Sequence, residues 1–415
     1  MRGLRAPIVG WVLYDFANTI FSFVVVTRYF NDWIIEERGH PDIYVGLMTA
    51  AVSLALVATL PLIGARADRS GHMPILVSFS ILCAAATALL GVVDPVWLAL
   101  AVAGVATYAF NTADSQYHPL LAVVAPERAR GRISGAGVAL GYVGSLVALF
   151  ALGAYVEDGE AQEAFLPAAG MFALFALPCF FLVRERSRRR DPKPSDSKPF
   201  KQLARSFRRA RSEPFGRLLL ARFLYVDALA TAIQFTGVYA RRTGDFDGDR
   251  IDLLLAIAAV AAIAGALGAG LWAERVGPRR VVLATLAVVI SALVLTAATG
   301  LSELLWVAGP LVGLGLGSLS AVDRIFLLRL VTPERRGEDF SLYAMVGKLS
   351  SGFGPLVLWG GTILALTELA GMSELDASRV AIAVLAAAAL AGLLVLRPLS
   401  DRSLDNDAPQ ERDLA

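Results

Sequence analysis

The chain has 415 residues, of which 56% are hydrophobic and 18% are charged, with a formal net charge of +2. A soluble protein of this length carries nearer a quarter charged residues, and so many apolar segments do not fit one soluble core. The net charge gives no sign of nucleic-acid binding, since the basic residues cluster in loops between apolar segments. We therefore expect an integral membrane protein.

Twelve apolar segments follow one another along the chain. The stretch 43–63 contains no acid or base, and about 20 apolar residues in a helix cross a hydrocarbon core of ~30 Å. The two cysteines, Cys83 and Cys179, fall inside such segments and are interpreted as packing residues. We predict transmembrane helices at 7–31, 43–65, 74–93, 96–124, 132–156, 165–184, 215–240, 251–273, 279–300, 303–330, 340–367 and 378–397.

An Arg-rich polar stretch separates the sixth span from the seventh. Within it, Phe200, Leu203 and Phe207 recur at helical spacing among Lys and Arg. This pattern is typical of an amphipathic helix on an anionic membrane surface, with a flexible linker as the alternative. The predicted units are an N-terminal six-helix bundle at 1–184, a cytoplasmic basic linker at 185–214, a C-terminal six-helix bundle at 215–397 and a disordered cytoplasmic tail at 398–415.

Basic residues concentrate in the loops on one side of the predicted spans. The loops after the second, fourth, sixth, eighth and tenth spans carry most of the arginines, whereas the opposite loops are acidic or mixed. Cytoplasmic loops of membrane proteins carry an excess of Lys and Arg. We therefore predict a protein of the bacterial inner membrane with both termini in the cytoplasm.

Three short segments of the first half recur in the second half, each about 210 residues later. All three fall at equivalent places in a scheme of six plus six spans, which predicts two related halves. The pairs are Ala67-Asp68-Arg69-Ser70-Gly71 with Ala273-Glu274-Arg275-Val276-Gly277, Pro126-Glu127-Arg128 with Pro333-Glu334-Arg335, and Leu13-Tyr14-Asp15 with Leu224-Tyr225-Val226-Asp227.

Several motifs resemble those of a known family. The segment from Gly64 to Gly71 is similar to the signature loop of the major facilitator superfamily. Within that superfamily the chain most resembles the vacuolar amino-acid effluxers linked to autophagy and their bacterial relatives, and the likeness covers nearly the whole chain. The segments that carry this likeness are Trp11 to Asn18, Arg132 to Gly135, Ala139 to Tyr142, Leu342 to Ala344, and Gly347-Lys348.

The resemblance implies an all-α membrane protein whose twelve transmembrane helices form two pseudo-symmetric six-helix bundles. It also implies a cytoplasmic gate, in which Gly64 and Gly71 suit a tight turn that requires φ > 0. The residues assigned to this gate are Gly64, Asp68, Arg69 and Gly71 in the first half, with Glu274 and Arg275 as their copies in the second.

Four acids lie inside the predicted spans: Asp15, Asp114, Asp227 and Asp323. An ionisable residue at mid-bilayer costs at least ~2.5 kcal/mol on insertion scales, so each acid indicates a function or a buried partner. The four helices line the central cavity of the fold that the sequence resembles. We interpret these acids as parts of a substrate or proton pathway, together with Tyr14, Asn18, Asn111, His118, Gln234 and the basic residues Arg222 and Lys348.

Structural roles compete with transport at each of these positions. Asp15, the best candidate for transport, could be a hydrogen-bonding anchor, and Asp114, Asp227 and Lys348 could form structural ion pairs. For Asp323, a local salt bridge to Arg324 is favoured. The favoured interpretations of two further residues are a packed side chain near the inner interface for His118 and a side chain that snorkels to the outer headgroups for Arg28.

We predict a secondary active transporter that moves a small polar solute, an amino acid, by proton-coupled alternating access. It is expected to act as a monomer among membrane lipids, without cofactor, metal or nucleic acid. Export of hydrophobic drugs is the alternative within this class. A membrane enzyme or a transport-dead receptor comes from another class, but the three histidines are scattered, and no Gly-x-Ser-x-Gly elbow or Walker loop is present.

Overall fold

Among the described residues, eleven helices are long and apolar enough to cross a membrane, and a bent helix pair makes twelve when it is counted as one span. The computed structural model describes residues 5–126, 130–156, 160–185, 205, 207–210, 213–331 and 336–399. We call the face at which the first helix begins the inner face and the opposite face the outer face. The continuous helices are α2 (Ile43–Ser70), α3 (Met73–Leu90), α4 (Val96–Val124), α5 (Arg130–Gly153), α6 (Phe165–Leu182), α8 (Gly248–Val276), α9 (Pro278–Thr299), α10 (Leu305–Leu330) and α12 (Glu374–Leu396).

The three remaining helices are interrupted. Helix α1 begins as Arg5–Phe21 and continues to the outer face through two wide π-helical turns, and α7 bends by 51° near its outer end. Helix α11 contains a π-helical segment at mid-length. The parts of these helices are Arg5–Phe21, Ser22–Arg28, Tyr29–Asn31 and Asp32–Glu37 for α1, Pro214–Gln234 and Thr236–Arg242 for α7, and Arg336–Phe353, Gly354–Gly361 and Thr362–Ala370 for α11.

The turn after α2 and the turn after α8 have the same backbone conformation. Gly71 has φ 92° and ψ 156°, and Gly277 has φ 90° and ψ 145°. Each glycine donates its N–H to the carbonyl four residues earlier, at 2.8 Å and 3.1 Å respectively. Because side chains rarely adopt this φ, glycine is required at both places. The turns thus repeat in structure as they do in sequence.

The gate segment differs from its prediction in one respect. Gly64 lies inside α2, which continues to Ser70, so it is not a turn residue. Arg69 lies in the last turn of α2, and Glu274 and Arg275, the copies of Asp68 and Arg69, lie in the last turn of α8. The side chains of Arg69, Glu274 and Arg275 are exposed, and that of Asp68 lies outside the described residues. The amphipathic segment predicted around Phe200 and Leu203 lies outside the described residues.

Small residues allow helices to approach closely within and between the halves. In the first half, Gly141 and Gly144 of α5 pack against α1. Between the halves, Gly46 of α2 and Gly352 and Gly360 of α11 leave no room for a Cβ against the opposing backbone. Such contacts between small residues are a main source of helix association in lipid. They join α2 to α11 along the outer part of both helices.

Candidate functional site

A polar cluster joins the two halves within the membrane. Lys348 of α11 donates to the Asn111 side chain on α4 at 2.6 Å, and its ammonium lies 3.5 Å from an Asp114 carboxylate oxygen. Asn18 of α1 donates to Asp114 at 3.4 Å. His118, one turn after Asp114, lies 3.6 Å from the same carboxylate. The structure therefore brings together five of the predicted pathway residues, which we call the midplane cluster.

The midplane cluster is only partly enclosed. The Lys348 side chain is 25% exposed and the Asp114 side chain 21% exposed. The interpretation of His118 as a packed side chain is wrong, because 54% of it is exposed. An acid and a base that both remain accessible inside a membrane protein can bind a solute that carries both charges.

Two residues of α1 lie apart from this cluster. The Asp15 carboxylate faces the α5 positions Gly137 and Gly141. Tyr14 is fully buried on the other side of α1, where its hydroxyl lies 2.6 Å from the Ser80 hydroxyl of α3. Tyr14 therefore belongs to the packing of the first half, and the position of Asp15 at the α1–α5 contact leaves its role a prediction.

Asp323 forms an ion pair within the second half. The carboxylate is 1% exposed and accepts hydrogen bonds at 2.7 Å from both Arg222 and Tyr225 of α7. The Arg222 guanidinium also lies over the ring of Tyr343, 3.9 Å from its centre. The described partner of Asp323 is thus on another helix, and the side chain of Arg324, to which a local bridge was favoured, lies outside the described residues. Since the partner of Arg222 is fully buried, whereas Lys348 and its partner Asp114 both remain partly exposed, Lys348 is the better candidate to bind a solute carboxylate.

Asp227 has a very different environment. It is 1% exposed, and neither carboxylate oxygen makes a hydrogen bond within the described part of the chain. Gln234, seven residues later, is buried where α7 approaches its bend, and its backbone carbonyl accepts from the Asn31 side chain of α1 at 2.8 Å. Neither residue contacts the midplane cluster through a hydrogen bond or ion pair that the structure describes.

Ionic contacts that the sequence analysis missed close the outer face. Arg28 of α1 pairs with Asp32 on the same helix and with Asp252 of α8, the latter at 2.5 Å. Asp32 also accepts from Arg241 of α7 at 2.8 Å. The interpretation of Arg28 as a snorkelling side chain is wrong, because it is 4% exposed and paired across the halves. The four-residue spacing from Arg28 to Asp32 was the available signal.

A second group of outer contacts centres on Arg242. Its guanidinium binds both oxygens of Asp42, at 3.1 and 2.6 Å, and donates to Ser378 at 2.8 Å. Trp359 of α11 donates its indole N–H to Asp42 at 2.7 Å. We call the two groups the outer network; its members are Arg28, Asp32, Glu36, Asp42, Arg241, Arg242, Asp252, Trp359, Glu374 and Ser378.

On the inner face, Glu185 caps the helix that follows the first gate segment. Its carboxylate accepts from the backbone N–H groups of His72 and Met73 at 2.6 and 3.0 Å and lies 3.0 Å from His72 Nδ1. Partial burial opposes ionisation, but the hydrogen bonds from His72 and Met73 outweigh it and lower the pKa of Glu185 below its usual value. The ionised carboxylate also stabilises the positive N-terminal end of α3.

An apolar cavity of about 220 Å³ lies between the halves. Its wall combines α1, α5 and all the helices from α7 to α12, and includes Thr19, Tyr142, Phe235, Ala258 and Trp359. No group of three or more His, Cys, Asp or Glu side chains among the described residues could hold a metal ion.

Comparison with known proteins identifies the family. The family described as "Vacuole effluxer Atg22 like" matches residues 44–393. The chain belongs to this family. A curated relative from Bacillus subtilis, the uncharacterized MFS-type transporter YxiO, is 26% identical over 429 residues, which cover 98% of this chain and 97% of that protein. The protein is thus a transporter of the major facilitator type, as the sequence resemblance predicted.

Solved structures confirm the fold. The nucleoside transporter NupG aligns with a TM-score of 0.77 at 12% identity, over 94% of this chain and 99% of that one. A bacterial homolog of the human lysosomal transporter Spinster aligns with a TM-score of 0.67 at 18% identity, over 95% and 94% of the two chains. The prediction of a twelve-helix major facilitator fold is confirmed.

Proposed function

We propose that this protein moves a small polar solute, an amino acid, by proton-coupled alternating access. The midplane cluster carries the proposal, because it offers Asp114 to a solute ammonium and Lys348 to a solute carboxylate within one partly exposed group. These two residues come from different halves of the molecule. A zwitterion between them would bind both halves at once and would separate from one when the halves move apart.

The contacts between the halves support the assignment of this conformation to a state that is open toward the inner face. The outer network joins the halves at the outer face, and among the described residues no ion pair joins them on the inner side of the midplane cluster. The exposure of His118 then marks the inner entrance. Orientation with the inner face in the bacterial cytoplasm follows from the arginines of the inner loops.

Counterflow in proteoliposomes with a panel of amino acids, with and without a pH gradient, tests this proposal. Asp114→Asn and Lys348→Met should each raise the half-saturating solute concentration ~10–100-fold, since hydrogen bonds to charged groups contribute about 1.5–3 kcal/mol. Asp15→Asn tests the remaining predicted acid on α1. Asp94→Asn, which changes an exposed acid in an outer loop, is the control and should leave transport unchanged.

Two results would count against the proposal. If no amino acid exchanges across wild-type vesicles, the solute class is wrong. If both cluster variants transport like the wild type, the midplane cluster is not the solute site. Export of hydrophobic compounds, favoured by the apolar cavity, would instead give uptake of an apolar dye that Phe235→Ala weakens and Asp114→Asn does not.

A further inference from the structure

Asp227 and Thr231 form a buried polar pair on one face of α7. Both are 1% exposed. The two Asp227 carboxylate oxygens and the Thr231 hydroxyl all lack a hydrogen-bond partner among the described residues. Buried polar atoms are normally satisfied, so three unpartnered oxygens within one helical turn require an explanation.

The backbone of Gly354 covers this pair. Gly354 opens the π-helical segment of α11, and a Cβ built on it would lie 2.7 Å from Asp227 Oδ1 and still closer to the Thr231 hydroxyl. The Gly354 N–H lies near the carboxyl without forming a hydrogen bond of normal geometry. Pro355, the next residue, has no N–H to donate. Glycine is therefore required at position 354. The backbone that covers the pair provides no hydrogen bond of normal geometry to stabilise a negative charge on Asp227.

Among the described residues, no cation forms an ion pair with Asp227. On α7 itself Arg222 pairs with Asp323 of α10, and on α11 Lys348 binds Asn111 and Asp114 while Asp339 binds Arg209. The charged groups that α1 and α12 carry include Arg28, Asp32, Glu374, Asp376, Arg379 and Arg397, and none of them forms a described ion pair with Asp227. An ionised carboxylate buried without a partner is strongly unfavourable.

We infer that Asp227 and Thr231 form the proton-carrying site of this transporter, distinct from the solute site, with Gly354 as its lid. In the conformation described here the carboxyl group keeps its proton under the lid. When α11 moves away from α7, water reaches the carboxyl group, the proton passes to that water and the carboxylate is hydrated. This inference rests on the proposed transport function and adds to it the residue that would bind the coupling ion.

Asp227→Asn tests the proton-carrying site separately from the solute site, because the amide side chain imitates the protonated carboxyl group. For one proton per solute, a gradient of one pH unit supports up to ~10-fold accumulation in the wild type. The variant should lose this accumulation and yet retain counterflow without a gradient, which also demonstrates that it folds. Gly354→Ala should impair both processes, whereas Gly270→Ala, where a Cβ meets no atom within 4 Å, should impair neither.

Infrared spectroscopy of the unliganded protein gives a readout that does not depend on transport. At neutral pH the wild type should show the carbonyl band of a buried protonated carboxyl group, and Asp227→Asn should lack it. An unchanged spectrum in the variant, gradient-driven accumulation by the variant, or accumulation driven by sodium instead of protons would each overturn the inference. Failure of wild-type vesicles to exchange any amino acid would overturn the solute proposal, while the infrared result would still decide the state of Asp227.

Discussion

The outer and inner faces of the molecule use charge in opposite ways. At the outer face, buried arginines from one half pair with acids from the other, as Arg242 does with Asp42. At the inner face, the exposed gate residues Arg69, Glu274 and Arg275 form no ion pair with another described residue, and Glu185 binds only within its own half. Charges at the outer face thus hold the halves together, whereas those described at the inner face organise each half separately.

The largest expected effect is from Arg242→Ala, which leaves Asp42, 3% exposed, without its cation. Removing one partner of a buried pair costs about 3–5 kcal/mol, and here the cost falls on the outer-closed conformation. The closed-to-open equilibrium should shift on the order of 100-fold or more toward opening at the outer face. Labelling of Thr27→Cys, a cavity position beneath the network, by an impermeant thiol reagent from outside measures this shift.

Arg38→Ala is the matched control for that experiment. Arg38 lies at the same face, but its contacts to Asp94 and Glu160 are long, 4.0 and 3.7 Å, and exposed. Its removal should leave the labelling rate unchanged, and the native cysteines Cys83 and Cys179 are buried and should not react. An Arg242→Ala protein labelled at the wild-type rate would show that the outer network does not control access.

The second prediction concerns a pair within one half, Arg222 and Asp323. Arg222→Met should lower the free energy of unfolding by about 3–5 kcal/mol, because Asp323 would be buried without a cation. The double variant Arg222→Met, Asp323→Leu should recover most of this loss, since apolar replacement of a whole buried pair is often neutral or stabilising. Thermal unfolding of the wild type, Arg222→Met, Asp323→Leu and the double variant in detergent measures the cycle.

Transport by the double variant distinguishes a purely structural role of the Arg222–Asp323 pair from a role in transport. If the pair only stabilises the second half, the double variant should exchange solute like the wild type. A stable double variant without exchange would place Asp323 in the transport pathway, as the sequence first suggested.

The membrane spans, the repeat and the glycine turns could be predicted from sequence, because each depends on local composition and short-range geometry. Gly71 and Gly277 occupy the same position in two repeated segments, one in each half, and the repeat marks both glycines in the sequence. The ionic partners of the outer network could not be predicted, since Asp42 and Arg242 are 200 residues apart and meet only when the halves close at the outer face. The same limit hid the pairing of Asp323 with Arg222, 101 residues earlier in the chain.

The smallest predicted effect tests the inner face, where the charge of Glu185 caps α3. Glu185→Gln keeps the shape and removes the charge, which should lower the free energy of unfolding by about 0.3–1 kcal/mol at pH 7. Folding lowers the pKa of Glu185, so this contribution is complete above the unfolded value of about 4.3 and disappears as the pH falls through the lower folded value. The difference between wild type and variant, measured by thermal unfolding at each pH, should therefore be constant near neutrality and shrink toward zero in acid. Glu303→Gln, at an exposed acid near the outer face, is the control and should leave the free energy of unfolding at pH 7 nearly unchanged. A difference that instead grew in acid would mean that the cap does not prefer the ionised carboxylate, and the inner turn would have to be held by its backbone geometry alone.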